Sequence, residues 1–167
     1  VPVRTANLKR GAEKVNGTLV KPGETFSLVD TLSPITLEGG YYAAGIVESG
    51  RHTEGVGGGL SQMATTTYNA GFFAGLEDVE HRPHSYWFER YPAGREATIF
   101  VGSIDMKFKN DTPYGVLMQS WVGGGQLHVA VWSTKYYDVE TSSSGKSNVV
   151  QPTTVTHSGA DCAPTPA

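Results

Sequence analysis

Ser61 is the first residue whose type and position could do chemistry. Gly57-Gly58-Gly59 precede it, and the apolar residues that follow recur mostly at helical spacing. We therefore predict a glycine loop that leads into a largely buried helix from about Ser61 to Ala74. A nucleophile gains from the first turn of a helix, because free N–H groups and the positive end of the macrodipole stabilise its anion and a developing oxyanion. The alternative is that Ser61 is only an N-cap and the glycines only a turn.

The segment Glu80-His81-Arg82-Pro83-His84-Ser85 supplies a candidate base for this hydroxyl. A nucleophile on a helix, then a histidine at the start of a following strand, then a polar residue on the next strand is the chain order of papain-like hydrolases and transferases. His84 is the preferred base, because its neighbours lead directly into a predicted strand. Glu96 or Asp105 could orient its ring. The predicted catalytic residues are Ser61, His84 and Glu96.

Residues near these groups are predicted to hold the substrate. Backbone N–H groups from Gly59 to Gln62 would bind an oxyanion, and Arg95 could hold a substrate carboxylate in a bidentate fork. Tyr91 is one of several aromatic residues that could stack on a sugar ring, although aromatic residues in strands more often belong to the core. The predicted substrate-binding residues are Gly58, Gly59, Gln62, Arg95 and Tyr91.

Metal and nucleotide sites are disfavoured. His81 and His84, with His52 as a third ligand, are poor metal ligands because Pro83 prevents the first two from sharing a regular helix face. The one cysteine, Cys162, lies far away in the chain. No glycine fingerprint for nucleotides is present, and no lysine follows the glycine loop. We expect neither a metal nor a cofactor.

The elements that must position these residues predict an α+β fold. An amphipathic helix is predicted from Val1 to about Val15, and a turn into a strand over residues 39–47. Gly75 is expected to end the helix that follows Ser61. Beyond it, five segments rich in aromatic and β-branched residues alternate with turn signals and predict antiparallel strands at 85–91, 97–101, 104–108, 116–122 and 126–133. We predict an antiparallel sheet packed on a buried central helix preceded by a glycine-rich loop, with a short N-terminal helix.

Size and composition narrow the class of protein. The 167 residues suit one domain, which we place at residues 1–140, with a Ser/Thr/Pro-rich linker or tail at 141–167. Charged residues make up 17% and the formal net charge is −3, which disfavours nucleic acid as a partner. No apolar run approaches the roughly 20 residues that cross a bilayer. Because the sequence begins at Val1, any targeting segment is expected upstream. Cys162 either pairs outside this stretch or is an incidental thiol.

A series of motifs over roughly residues 4 to 122 resembles the VanW-like family. Their order along the chain is more specific than any one of them. They include Pro22-Gly-Glu-Thr-Phe-Ser, Gly40-Tyr-Tyr, Gly57-Gly-Gly-Leu-Ser-Gln-x-x-Thr-Thr-x-Tyr-Asn-Ala, Glu80-His-Arg-Pro-His-Ser, Tyr91-Pro-Ala-Gly-Arg-Glu-Ala-Thr and Phe108-Lys-Asn-Asp-Thr.

The resemblance implies a bacterial, extracytoplasmic setting in the cell envelope, usually downstream of a membrane anchor and of peptidoglycan-binding modules. The family name is tied to glycopeptide-resistance clusters. Certain members are reported to act as L,D-transpeptidases, which use a cysteine in a Gly-Gly-Gly-x-Cys-Gln motif to form 3-3 cross-links between peptidoglycan stem peptides. The matching position here is Ser61. Asp is common in the family where Glu96 stands, and Arg where His81 stands.

Three hypotheses about function are open: the order of Ser61 and His84 together with the resemblance supports the first, the missing thiol supports the second, and only a glycine-rich surface supports the third. A hydroxyl needs a well-aligned base to match a thiolate, so Ser61 is a working serine nucleophile, a natural loss or an engineered replacement. The first hypothesis is an acyl transferase on peptidoglycan stems. The second is a non-catalytic peptidoglycan-binding or scaffold module, and the third is a protein-interaction module.

Overall fold

The computed structural model describes residues 2–48, 51–151, 153, 154, 156, 158 and 159, so Cys162 lies outside the described residues. The helices and strands are α1 (Pro2–Val15), β1 (Leu19–Val20), β2 (Thr25–Ser27), α2 (Leu28–Leu32), β3 (Ala43–Glu48), β4 (Arg51–Val56), α3 (Leu60–Phe73), β5 (Glu77–Glu80), β6 (Lys107–Lys109), β7 (Val116–Gly123) and β8 (Gln126–Trp132). Helices mixed with antiparallel strands confirm the predicted α+β class. Within the described ranges no helix or strand follows β8, and no helix is long and apolar enough to span a membrane.

Helix α1 is the predicted N-terminal helix, and its apolar face forms one wall of the core. Leu8, Ala12 and Val15 are buried and lie three or four residues apart, so they share one face of the helix. That face packs on α3 and on β7. The prediction from residue 1 to 15 is confirmed over Pro2–Val15.

Helix α3 is the predicted buried helix, displaced by one residue at each end. Met63 and Ala64 are fully buried. Gly71 lets the helix approach β6 closely, because a Cβ there would lie 3.0 Å from the Phe108 ring. Gly75 follows the helix at φ +76°, a conformation that favours glycine, so the predicted stop is confirmed.

The strands form three small antiparallel sheets, with orders β1-β7-β8, β2-β6-β5 and β3-β4. The first sheet packs on α1 and α3, and β7 alternates buried and exposed residues along most of its length, as in a sheet that faces the core on one side. In the second sheet, Phe26 and Phe108 are paired and their rings stack at 4.9 Å. The third is a hairpin that begins at the pair Ala43 and Val56.

The strands predicted at 85–91 and 97–101 are wrong, apart from one bridge between Phe100 and Ile104. The aromatic residues of this stretch pack against one another, as Phe88 does on Tyr91, instead of spreading over a sheet. The strand predicted at 104–108 starts only at β6, whose partners are β2 and the unpredicted β5. Residues 81–106 therefore form one long irregular segment, and long irregular segments in compact domains are commonly functional.

Candidate active site

Three glycines shape the turn before α3, each for a structural reason. Gly57 and Gly59 adopt φ values of 83° and 99°, which side-chain-bearing residues rarely adopt. Gly58 passes so close to β3 that a Cβ would lie 2.4 Å from the Ala44 carbonyl carbon and oxygen. Gly59 is the N-cap residue, so Ser61 is the second residue of α3 and not its cap.

Asn7 of α1 fastens this glycine loop to the chain that enters β3. Its Nδ2 donates hydrogen bonds to the carbonyl oxygens of Tyr42 (2.9 Å) and Gly58 (3.0 Å), and its Oδ1 accepts one from the Tyr42 N–H (2.8 Å). The side chain is completely buried. Sequence reasoning missed this residue, although an amide on the apolar face of an amphipathic helix is a signal that could have found it.

Ser61 lies beside backbone donors that the helix does not use. The Leu60 and Gln62 N–H groups donate to Gly57 and Gly59 carbonyls at 3.1 Å and 3.0 Å. Among the described residues, the Gly59 and Ser61 N–H groups have no backbone acceptor, as expected for the first turn of a helix. These two donors are the candidates for an oxyanion hole.

The Ser61 hydroxyl accepts a hydrogen bond from the Thr98 hydroxyl, at an Oγ1–Oγ distance of 3.3 Å. Because the Ser61 hydroxyl is the acceptor in this contact, its own hydrogen is not used there. No hydrogen bond joins Ser61 to His84 within the described residues, so the two are neighbours of one cavity but do not form a closed pair here.

His84 and Glu96 form a buried pair. His84 Nδ1 makes a short hydrogen bond with Glu96 Oε1, and their side chains are only 9% and 10% exposed. A carboxylate can only accept, so Nδ1 carries the hydrogen, and in the neutral ring Nε2 is then the acceptor. The ring is further fixed by Tyr91, stacked at 5.6 Å, and by Phe88, edge-on at 4.8 Å.

Two polar residues of α3 hold the chain on either side of Glu96. Thr65 exchanges hydrogen bonds with the backbone of Ala97, donating to its carbonyl oxygen at 2.8 Å and accepting from its N–H at 3.1 Å. Asn69 donates to the Arg95 carbonyl oxygen at 2.8 Å. Thr65 and Asn69 are four residues apart and so share one face of α3. Helix α3 therefore carries Ser61 and also positions the partner of His84.

A cavity of about 800 Å³ connects these groups. Its walls come from the first turn of α3, the β3-β4 hairpin, α1 and the irregular segment. Ser61, His84, Gly59 and Tyr91 line it, whereas Glu96 is not part of its lining. The Tyr91 hydroxyl is buried and has no hydrogen-bond partner among the described residues. The cavity brings a hydroxyl, an oriented imidazole and free backbone donors to one space, which is the set that acyl transfer requires.

Three of the five residues predicted to bind substrate, Gly58, Gln62 and Arg95, lie outside the described lining of this cavity. Gly58 packs against the β3 backbone, so its missing side chain makes room for Ala44 and not for a ligand. Gln62 accepts a hydrogen bond from Arg4 Nη2 at 2.8 Å through its Oε1 atom. It acts on the cavity only by holding Arg4, which does line it.

Arg95 and Asp105 are also placed elsewhere. Arg95 hydrogen-bonds to Asn69 Oδ1 and lies over the Phe73 ring at 4.9 Å, outside the cavity lining, because it extends from the chain towards α3. Asp105, the alternative partner for His84, instead accepts hydrogen bonds from the Val29 N–H (2.9 Å) and the Met106 N–H (2.7 Å). Of the two predicted orienting residues, the structure brings only Glu96 to His84.

The three histidines weighed as metal ligands have different partners. His81 Nδ1 pairs with Asp78 at 2.7 Å, and the His52 ring packs edge-on against Tyr86 at 5.3 Å. His84 is engaged by Glu96. Over the described part of the chain, no group of three or more His, Cys, Asp or Glu side chains is placed to hold a metal ion.

Comparison with known proteins identifies relatives of this chain. The family described as VanW like protein matches residues 3–132. The chain is 33% identical over 131 residues to "Uncharacterized protein YoaR" of Bacillus subtilis (strain 168), which covers 78% of the chain and 43% of that protein. It is 32% identical over 123 residues to "Vancomycin B-type resistance protein VanW" of Enterococcus faecalis (strain ATCC 700802 / V583), covering 70% and 43%. The matched region is thus less than half of each relative. No solved structure matches the chain.

Proposed function

This chain belongs to the VanW-like family, and we propose that it transfers acyl groups between peptidoglycan stem peptides in the extracytoplasmic cell envelope. One observation carries the proposal. His84, whose Nδ1 is engaged by Glu96, lines the same cavity as Ser61. The name of the Enterococcus relative, a vancomycin resistance protein, is consistent with a wall substrate. A membrane anchor upstream of the matched region is part of the proposal.

The proposed reaction has two steps. Ser61 Oγ attacks the carbonyl carbon of the third residue of a donor tetrapeptide, while His84 Nε2 takes the hydroxyl proton. The C–N bond to the terminal residue then breaks, and His84 returns the proton to the leaving amine. In the second step an acceptor amine attacks the Ser61 ester while His84 Nε2 takes its proton; the C–Oγ bond then breaks, His84 returns the proton to Ser61 Oγ, and a 3-3 cross-link forms. The free N–H groups of Gly59 and Ser61 would stabilise the oxyanion in both steps.

Glu96 has a separate role in this reaction. Its carboxylate holds the His84 ring in the tautomer that can accept at Nε2, and it stabilises the imidazolium that forms when the proton arrives. A thiol at residue 61 would need less help from the base, because a thiolate is accessible near neutral pH. The buried His84–Glu96 pair is therefore what a serine at this position requires.

A second candidate function is a non-catalytic module that binds stem peptides. The observation that favours it is the hydroxyl contact, because Ser61 is hydrogen-bonded to Thr98 and not to His84. In this case the cavity still binds peptide, but no acyl group is transferred. Binding to purified sacculi without any turnover would favour this module over the enzyme.

The reaction is tested by incubating the protein with tetrapeptide muropeptides and measuring 3-3 dimers by mass spectrometry. We expect dimers with the native protein, and a fall of roughly 10²–10⁴-fold for His84→Gln, the range that general acid–base catalysis contributes. His81→Gln is the matched control, since His81 pairs with Asp78 outside the cavity lining and its loss should leave turnover nearly unchanged.

A second pair of variants tests the nucleophile. Ser61→Ala should abolish dimer formation, whereas Ser85→Ala, which removes another hydroxyl from the wall of the same cavity, should retain it. Ser61→Cys should be active, because His84 and the backbone donors are already in place. If neither the native protein nor Ser61→Cys forms any dimer, the acyl-transfer proposal fails.

A further inference from the structure

The charged residues on the wall of the cavity are all cationic. Arg4, Arg82 and Arg90 line it, and no Asp or Glu side chain does so among the described residues. This is unexpected for a chain whose formal net charge is −3. Positive groups gathered in a concave site raise the local concentration of anionic ligands. The cavity is therefore suited to a ligand that carries negative charge.

The three arginines differ in how far the protein already uses them. Arg4 donates to Gln62 at 2.8 Å. The pKa of Glu80 is lowered mainly by the hydrogen bond from the Asp105 N–H and, to a smaller degree, by the charge of nearby Arg82. Among the described residues Arg90 makes no ion pair and no side-chain hydrogen bond, and its contacts are with aromatic rings. Its five N–H donors are therefore available to a ligand.

Arg90 is nevertheless held in place by aromatic rings. Its guanidinium carbon lies 4.8 Å from the centre of the Phe88 ring and 5.0 Å from that of Tyr91. Cation–π contacts of this kind fix a guanidinium while leaving its edge donors free. The same two rings pack on His84, so the arginine and the candidate base share one aromatic cluster.

We propose that Arg90 binds the free C-terminal carboxylate of the donor peptide, and that the site therefore selects peptides ending in an unmodified carboxyl group. This inference rests on the proposed function. A 3-3 cross-link made from a tetrapeptide requires cleavage of the peptide bond between the third and fourth residues of the donor. The C-terminal carboxylate therefore lies one residue beyond the scissile bond, roughly 3.5 Å along the chain. The Arg90 guanidinium and the His84 ring both pack on Phe88 and Tyr91, so they lie near each other on one wall of the cavity. Arg90 thus takes the role that the sequence alone predicted for Arg95.

The test measures binding and not turnover, in a Ser61→Ala background that cannot form an acyl-enzyme. The ligands are a stem tetrapeptide with a free C-terminus and the same peptide as its C-terminal amide, titrated by calorimetry. We expect the free acid to bind about tenfold more tightly, which corresponds to one charge-assisted contact at an accessible site. When Arg90→Gln is added to this background, the acid and the amide should bind with about equal affinity, mainly because binding of the acid is weakened.

Two further variants control for folding and for net charge. Arg90→Lys keeps the charge but loses the planar fork, and should retain only part of the preference. Arg10→Gln removes the same charge from α1, where Arg10 pairs with Glu13 outside the lining of the cavity, and should retain all of it. If Arg90→Gln unfolds, as judged by thermal denaturation, Arg90→Lys decides the question.

The outcomes separate this inference from the reaction itself. Equal binding of acid and amide, or a preference that survives Arg90→Gln, overturns the carboxylate role. Inorganic phosphate that displaces the peptide at equal concentration also overturns it, because the site would then be a general anion site. If the preference for the acid depends on Arg90 but the protein with Ser61 intact shows no turnover, the carboxylate role is supported and the enzymatic proposal is contradicted. If the protein with Ser61 intact turns over the acid and the amide at equal rates, the enzymatic proposal is supported and the carboxylate role is contradicted.

Discussion

Replacing Asn7 with alanine tests how the glycine loop is held. The substitution removes three hydrogen bonds, two donated to the Tyr42 and Gly58 carbonyl oxygens and one accepted from the Tyr42 N–H. Each such bond is worth about 1 kcal/mol net, and a buried partner left unsatisfied costs about 1–3 kcal/mol. Asn7 is fully buried, so water cannot readily replace it. We expect a loss of roughly 3–5 kcal/mol in the free energy of unfolding.

Urea denaturation followed by circular dichroism measures this loss, provided that the slope of the transition is unchanged. Asn16→Ala is the matched control, because Asn16 is exposed and accepts one hydrogen bond, from the Ser120 N–H at 3.1 Å. It should cost about 1 kcal/mol or less. A loss below about 1 kcal/mol for Asn7→Ala would refute the claim that this amide ties the loop to β3. Dimer formation by Asn7→Ala, measured where it is still folded, should fall with the loss of loop geometry.

Two further predictions concern residues around the site. Gly58→Ala should destabilise the protein by roughly 1–3 kcal/mol or prevent folding, because its Cβ would lie 2.4 Å from the Ala44 backbone. The control is Gly45→Ala, whose Cβ would meet nothing within 4 Å and which should cost much less. Equal losses for the two variants in urea denaturation would contradict the packing argument. The pKa of Glu80 is lowered mainly by the hydrogen bond from the Asp105 N–H. The ionised carboxylate therefore stabilises the folded protein at pH values above its ordinary pKa of 4.5. This contribution is lost as the pH falls through the lowered pKa of the folded state. Glu80→Gln should therefore flatten the fall in unfolding free energy below about pH 4.5, and an unchanged acid slope would contradict this assignment.

The two long helices could be predicted from the sequence because their apolar residues repeat with the helical period. Glycine marks the end of α3 just as the sequence indicated, with Gly75 at positive φ. At residues 85–91 the sequence does not distinguish a strand from an irregular segment whose aromatic rings form a cluster. Phe88 and Tyr91 carry strand-forming side chains, but their rings gather around His84, and nothing in local propensity distinguishes the two outcomes.

The candidate site shows a similar division. The order of Ser61, His84 and Glu96 along the chain was enough to propose that they meet, and the structure brings His84 and Glu96 into contact. It was not enough to tell which way each side chain points. Glu96 turns towards His84 while its neighbour Arg95 turns towards α3. Arg90 was overlooked because its aromatic support exists only in the folded chain.

Acyl transfer to Ser61 is tested by the intact mass of the protein after mixing with a donor tetrapeptide and no acceptor amine. We expect a covalent adduct whose added mass equals that of the donor minus the released terminal amino acid, located at Ser61 by peptide mapping and absent from Ser61→Ala. We also expect less adduct when Glu96 is replaced by glutamine. A donor that binds but leaves the mass of both the native protein and Ser61→Cys unchanged would contradict acyl transfer and favour the non-catalytic binding module.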